Sequence, residues 1–114
     1  MSRASRSTSA SERLEEGDRV FLALSHATRR QILLLLNLRG ASMTAGSIAE
    51  RFSCRWPTVS RHLAALEQAG LVLAKRRGRE RVYRLNVRRL RGVAGAWLRW
   101  FDPKGGSKRT RRQG

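Results

Sequence analysis

Apolar positions along the chain fall into short periodic blocks separated by Gly, Pro and Ser/Thr punctuation, and each block predicts an element. Residues 1–10 are rich in Ser and Arg and have no apolar period, which predicts a disordered arm. Ser9-Ala10-Ser11-Glu12 has the form of a capping box, and the helix after it runs to about Leu24 with Leu14, Val20, Phe21 and Leu24 on its apolar side. Gly17-Asp18 is a point at which that helix can divide. After a turn at residues 25–28, Arg29 to Leu38 predicts a second helix stopped by Gly40. Its run Ile32–Leu36 is apolar all round, the mark of a helix at the centre of a core. Thr44 is placed to cap a third helix, Ala45 to Phe52, with Ile48, Ala49 and Phe52 inward.

A fourth helix, 56–69, has a clear start and a clear stop. Pro57 suits a first turn, where a missing N–H costs nothing, and Gly70 suits the left-handed residue after the end. Val59, Leu63 and Leu66 make its buried stripe. Thr58, Arg61 and Ala65 make the opposite front, with Ser60 and His62 at the borders. From Leu71 the period changes to that of strands. Leu71–Ala74 and Val82–Leu85 flank Arg77-Gly78-Arg79-Glu80, where Gly78 fits the first central position of a type II′ turn. Asn86 caps a last helix, Val87 to Phe101, whose seam is Val87, Leu90, Ala94, Trp97 and Phe101, with Val93, Leu98 and Trp100 beside it. Gly92 and Gly95 weaken this helix but let a neighbouring backbone come close. Asp102-Pro103 ends it, and residues 103–114 read as a disordered basic tail.

The predicted fold is mainly α with a small β-hairpin (α+β), in the order α-α-α-α-β-β-α, as one domain over residues 11–102. Two short helices joined by a tight turn, the second basic on its front and followed by a hairpin, make a winged helix-turn-helix.

Charge sharpens this picture. The net charge of +17 over 114 residues points to a polyanion as partner, and all but three of the 25 basic residues (Lys75, Lys104 and Lys108) are arginine. Residues 12–54 are close to neutral, whereas residues 55–91 hold eleven basic residues against Glu67 and Glu80. The basic footprint therefore begins at the fourth helix and covers the hairpin. A helix with an apolar back and a short polar-basic front is what a major groove admits. Thr58 and Arg61 are the candidates for base edges, and Ser60 and His62 for phosphates. His62 has a second reading, a satisfied residue flanking the core. Arg76, Arg77, Arg79 and Arg81 surround the hairpin tip, placed for sugar-phosphate or the minor groove. The tail adds salt-sensitive, sequence-blind affinity.

These blocks together resemble the ArsR/SmtB repressors. Leu22-Ala23-Leu24-Ser25-His26-Ala27-Thr28-Arg29-Arg30-Gln31-Ile32-Leu33 is similar to that family's opening, where an "ALADPTRRxIL" pattern is usual. Ile48–Phe52, Pro57–Leu63 and Leu66–Val72 continue the likeness, and Arg77–Leu85 is similar to the family's wing. The resemblance covers about residues 18–101. It implies a homodimeric, DNA-binding transcription repressor, usually released by an effector. Surface arithmetic agrees: Leu14, Phe21, Leu90, Val93, Trp97, Trp100 and Phe101 offer more apolar area than one small core can cover, so a dimer is expected. Two-fold symmetry then predicts a palindromic site. The alternative, in which Trp97 and Trp100 fold back onto their own core, stays open.

The chain also departs from the family pattern. Arg55 and Trp56 stand where a small polar pair is usual, and arginine cannot accept the orphan N–H bonds of the first turn. They are read either as DNA-facing, Arg55 on phosphate and the Trp56 indole on sugar or a thymine methyl, or as Trp56 packed over Pro57. The Cys-x-Cys metal box is absent, the last helix has no His, Asp or Glu, and His26 and His62 are expected far apart, so no metal and no cofactor are predicted. Cys54, the lone cysteine, is read as buried in the turn, with a redox role as the alternative. No effector can be named. There is no secretory signal and no apolar run long enough for a bilayer, so a cytoplasmic, nucleoid-associated protein without membrane contact is expected. Two other classes compete with a sequence-specific regulator of duplex DNA: an architectural protein that binds any DNA, and an RNA- or partner-binding module. The RNA reading lacks aromatic residues interleaved with the basic hairpin, and an enzyme lacks any nucleophile, base and orienter set.

Overall fold

The stripe predicted on the fourth helix is buried among the three helices that precede it and the strand that follows it. A computed structural model of the chain describes residues 2–40, 42–52 and 55–103. The readings of Cys54 and of the tail beyond Pro103 lie outside the described residues.

Helix α1 spans Ser2–Leu24 and begins upstream of the expected start. Residues 2–10, expected as an arm, form its first turns, and Ser9–Glu12 lies inside the helix rather than capping it. No Gly or Pro stands between residues 2 and 16, so nothing stops propagation once the helix exists. It also passes unbroken through Gly17-Asp18, where a Cβ on Gly17 would stand 3.9 Å from Val93 Cγ1. Helix α2, Ala27–Arg39, ends at Gly40, whose φ of 65° lets its N–H reach the Leu36 carbonyl. Ile32, Leu33 and Leu36 are buried, but Leu34 and Leu38 are exposed. The expectation of a helix covered all round is corrected to one covered on a single side, because one small domain has no layer beyond α2.

Strand β1, Met43–Thr44, was not legible: two residues carry no period. Helix α3, Ala45–Glu50, is capped as expected, with Thr44 Oγ1 accepting from the Ser47 N–H at 3.1 Å and Ile48 wholly buried. Helix α4, Trp56–Gln68, buries Val59, Leu63 and Leu66 completely. Each side chain contributes about 1.5–3 kcal/mol by leaving water. Its end is a Schellman motif: the Gly70 N–H donates to Glu67 O, the Leu71 N–H donates to Leu66 O, and Gly70 takes a φ of 78°.

Strands β2, Val72–Arg77, and β3, Glu80–Leu85, form a hairpin longer than the expected runs. Register pairs Arg77 with Glu80, leaving Gly78-Arg79 as a two-residue turn with positive φ at the glycine alone, the pattern expected of Gly in the first central position. β1 adds to the far side of β3, with Met43 opposite Tyr83 and Thr44 opposite Val82, so the sheet order is β1-β3-β2.

The C-terminal segment is helical from Val87 to Phe101 but not uniform. Helix α5, Val87–Leu90, passes through a π-helical turn, Arg91–Gly95, into α6, Ala96–Leu98, and a 3₁₀ turn, Arg99–Phe101. The π turn holds Gly92 and Gly95, the two residues of the segment with the poorest helix propensity. Among the described residues a Cβ on either would meet nothing within 4 Å, so none of them makes the close approach expected there. The segment starts at the stop of α4: Asn86 Nδ2 donates to Gly70 O at 2.8 Å, and the Asn86 N–H donates to Leu71 O. The Arg89 guanidinium lies over Gly70, so close that a Cβ there would stand 2.6 Å from Nε, and it also pairs with Glu16 at 3.2 Å. Among the described residues no helix is long and apolar enough to cross a membrane.

Candidate nucleic-acid interface

Burial of Val59, Leu63 and Leu66 turns the other side of α4 outward, so Arg61 and Ser60 are exposed and Thr58 is half-buried. Arg55 makes no side-chain cap bond, as its chemistry requires, and is exposed. The indole of Trp56 is 52% exposed and lines a groove of about 390 Å³ between the start of α4 and the wing. Ser60, Arg76, Arg79, Arg81 and Tyr83 line the same groove. The structure therefore gathers five of the sequence-derived candidates, Trp56, Ser60, Arg76, Arg79 and Arg81, around one cleft. Arg61 and Thr58 stand beside it on α4.

Two candidates are placed elsewhere. Arg77 belongs to the alternate face of β2, away from this groove. His62 is turned into the protein and buried, so of its two readings the phosphate contact gives way to the residue that flanks the core. The Arg29 Nε–H donates to His62 Nδ1 at 3.1 Å, and the His26 ring lies 4.3 Å from that of His62, centroid to centroid. The expectation that the two histidines are far apart is corrected: the turn at 25–26 folds His26 back over α4. Burial first, and then the charges of His26, Arg29 and Arg61, hold the His62 pKa below its ordinary 6.5. An acceptor Nδ1 beside a guanidinium has no place for a proton.

Arg81 reaches across the groove. Its Nη2 donates to Glu67 Oε2 at 2.8 Å, and its guanidinium carbon sits 5.9 Å from the centroid of the Tyr83 ring. Tyr83 first and the Glu67 carboxylate second raise the pKa of a group that is already always charged. Arg81 thus joins the wing to the last turn of α4, whereas Arg61 and Arg79 make no ion pair among the described residues. Glu67 and Arg29 were missed as contributors because both act through another side chain, a relationship that only tertiary contact reveals.

The residues expected at a dimer interface divide into two sets. Leu90 and Val93 are half-buried and pack against the chain's own core. Leu14, Trp97, Trp100 and Phe101 are exposed, with Trp100 83% open, and Phe21 meets Trp97 edge-on at 5.5 Å between centroids. Trp97 in turn meets Phe101 at 5.0 Å. The result is an aromatic ridge along α1 and the C-terminal segment that no described residue covers.

Comparison with known proteins agrees with this architecture. A sequence model of a helix-turn-helix domain matches residues 24–73. The chain is 43% identical over 86 residues to the transcriptional repressor SdpR of Bacillus subtilis, covering 75% of this chain and 92% of that protein. Among solved structures, an ArsR-like transcriptional regulator from a Rhodococcus species superposes with a TM-score of 0.68 at 33% identity, covering 90% of each chain. A homodimeric winged helix-turn-helix DNA-binding domain from Mycobacterium bovis, a possible ArsR-family regulator, superposes with a TM-score of 0.65 at 31% identity, covering 77% of this chain and 81% of that one.

Proposed function

Since the chain belongs to the ArsR/SmtB family of winged helix-turn-helix, DNA-binding transcriptional regulators, we propose that it acts as a homodimeric repressor of a palindromic operator. Helix α4 enters the major groove with Arg61 forked onto a guanine and Thr58 beside it. Trp56 and Ser60 meet the backbone that the arginines at 76, 79 and 81 approach from the wing, and Arg55 extends the phosphate contacts. Leu14, Phe21, Trp97, Trp100 and Phe101 pair with their counterparts in the second copy, which sets two α4 helices about one DNA turn apart. The protein works in the cytoplasm, without metal or cofactor, and catalysis has no part in its action.

The observation that carries this reading is the groove in which the start of α4 and the wing arginines share one cleft. Wing arginines facing the polar and aromatic start of α4 across an open cleft fit a polyanion rather than a small molecule. Selection of bound fragments from random DNA at about 150 mM salt tests it, because at that salt sequence-blind binding is weak. The expected result is an inverted repeat with half-sites about ten base pairs apart. Arg61→Ala should relax one position in each half-site, by about 1–3 kcal/mol of discrimination. Recovery of unrelated fragments with no shared motif would favour the architectural reading instead.

A further inference from the structure

The wing has two faces, and only one of them looks toward α4. Alternation along the strands puts Arg76, Arg81 and Tyr83 on the inner face, and Leu73, Lys75, Arg77, Glu80, Val82 and Arg84 on the outer one. On that outer face the twisted sheet forms a depression of about 720 Å³ whose lining includes Lys75, Arg76, Arg77 and Arg84 over Leu73 and Val82. Glu80, opposite Arg77 in register at the hairpin tip, does not line the depression. Among the described residues none of these four cations makes an ion pair, in contrast to Arg81 on the inner face. Glu80 is the one acidic strand residue on this face against Lys75, Arg77 and Arg84, so the face keeps a net positive charge, and like charges gathered on one sheet face are destabilising.

From this geometry we infer that the outer face of the wing is a second DNA-backbone site, which engages the duplex flanking the operator. The inference rests on the operator reading above and extends it to phosphates that α4 does not reach. Lys75 and Arg77 stand about 7 Å apart along β2, roughly two phosphates' rise along one strand of a duplex. Arg84 faces them from β3, so the depression presents cations along both walls over an apolar floor. A surface of this kind positions DNA without specifying its sequence. Because it lies on the side of the wing away from α4, occupancy requires the flanking duplex to curve toward the sheet. Neutralising phosphates on one side of the helix favours that curvature.

The test compares two duplexes, one holding only the selected inverted repeat and one with about fifteen further base pairs on each side, each bound to the full chain and to the double variant Lys75→Ala/Arg84→Ala. Both substitutions are at exposed positions, so the fold is retained. Flanks are expected to tighten binding by the unaltered chain about tenfold at 150 mM salt. They should also steepen the slope of log K against log salt by about two per protomer. The double variant should bind the short duplex as the unaltered chain does and lose the gain from the flanks. Equal weakening on both duplexes would overturn the inference by assigning Lys75 and Arg84 to the operator contact. No gain from flanks in the unaltered chain would overturn it directly. Failure of the unaltered chain on the short duplex is a different result: it would strike the operator reading itself and remove the inference along with it.

Discussion

Arg81 of the wing and Glu67 of α4 are joined at 2.8 Å, so the hairpin and the recognition helix are fixed to each other at one point. Both side chains are substantially exposed, and such a pair adds little to stability. Its effect is on geometry and on charge. Glu67→Gln should leave the unfolding midpoint nearly unchanged while freeing Arg81 to seek any phosphate. Affinity for an unrelated duplex is expected to rise, and the ratio of operator to unrelated binding to fall about threefold to tenfold, in parallel titrations at fixed salt. An unchanged ratio would mean that the wing's angle is set elsewhere.

The buried histidine gives stability a pH dependence of defined sign. In the unfolded chain His62 titrates near 6.5, whereas in the folded chain its pKa is lower, so between the two values the unfolded state binds more protons. Its contribution is therefore fully present above about pH 6.5 and is lost as pH falls through the depressed folded value. Protonation would also place a cation against the Arg29 guanidinium that now donates to Nδ1. Urea melts at pH 7.5 and pH 5.0 should show this loss, and His62→Gln, which keeps an acceptor but cannot titrate in this range, should flatten that part of the profile.

Gly70 is held by two independent constraints, a φ of 78° and the Arg89 guanidinium where a Cβ would go. Gly70→Ala should destabilise by roughly 1–3 kcal/mol, the scale of a residue forced into a left-handed conformation. Combining it with Arg89→Ala separates the terms. If the double variant recovers part of the loss, relative to the sum of the two single variants, the clash contributed; strict additivity would leave backbone strain as the whole cost.

Removing aromatic area from the ridge should act on assembly before folding. Trp100→Ala, at a position open in the single chain, is expected to lower the dimer fraction in sedimentation at micromolar concentration while leaving secondary structure intact. Leu90→Ala and Val93→Ala, whose side chains pack on their own core, should instead lower the melting temperature at concentrations that keep the dimer saturated. Reversal of these two patterns would assign the interface to other residues.

The parts of the fold that follow from local chemistry were legible in the sequence. The stripe Val59-Leu63-Leu66, the Thr44 cap, the Gly70 stop and the Gly78 turn each rest on one residue type meeting one backbone requirement. What was not legible depends on residues distant in sequence. His62 sits at the border of its helix, and helical period alone leaves both its faces open until Arg29 and His26 are seen beside it. Leu34 looked like core because apolar character does not reveal how many sides of a helix are covered. The two-residue strand β1 exists only because β3 supplies its partner. In the site, the sequence put the arginines at 76, 77, 79 and 81 in one cluster by proximity along the chain. The pleat divides them, sending Arg77 with Lys75 and Arg84 to the far face.

Among the described residues, the order β1-β3-β2 leaves β2 without a neighbour on its outer side. A free strand edge is a template on which any extended segment can add, including the same strand of another copy. Here that edge carries Lys75, Arg76 and Arg77 in succession, so a second β2 laid alongside it would bring at least three cations against three others. The hairpin is thereby protected from edge-to-edge aggregation by the residues that suit it to a polyanion. A substitution that neutralises these cations to weaken DNA binding also lowers the barrier to self-association through the sheet.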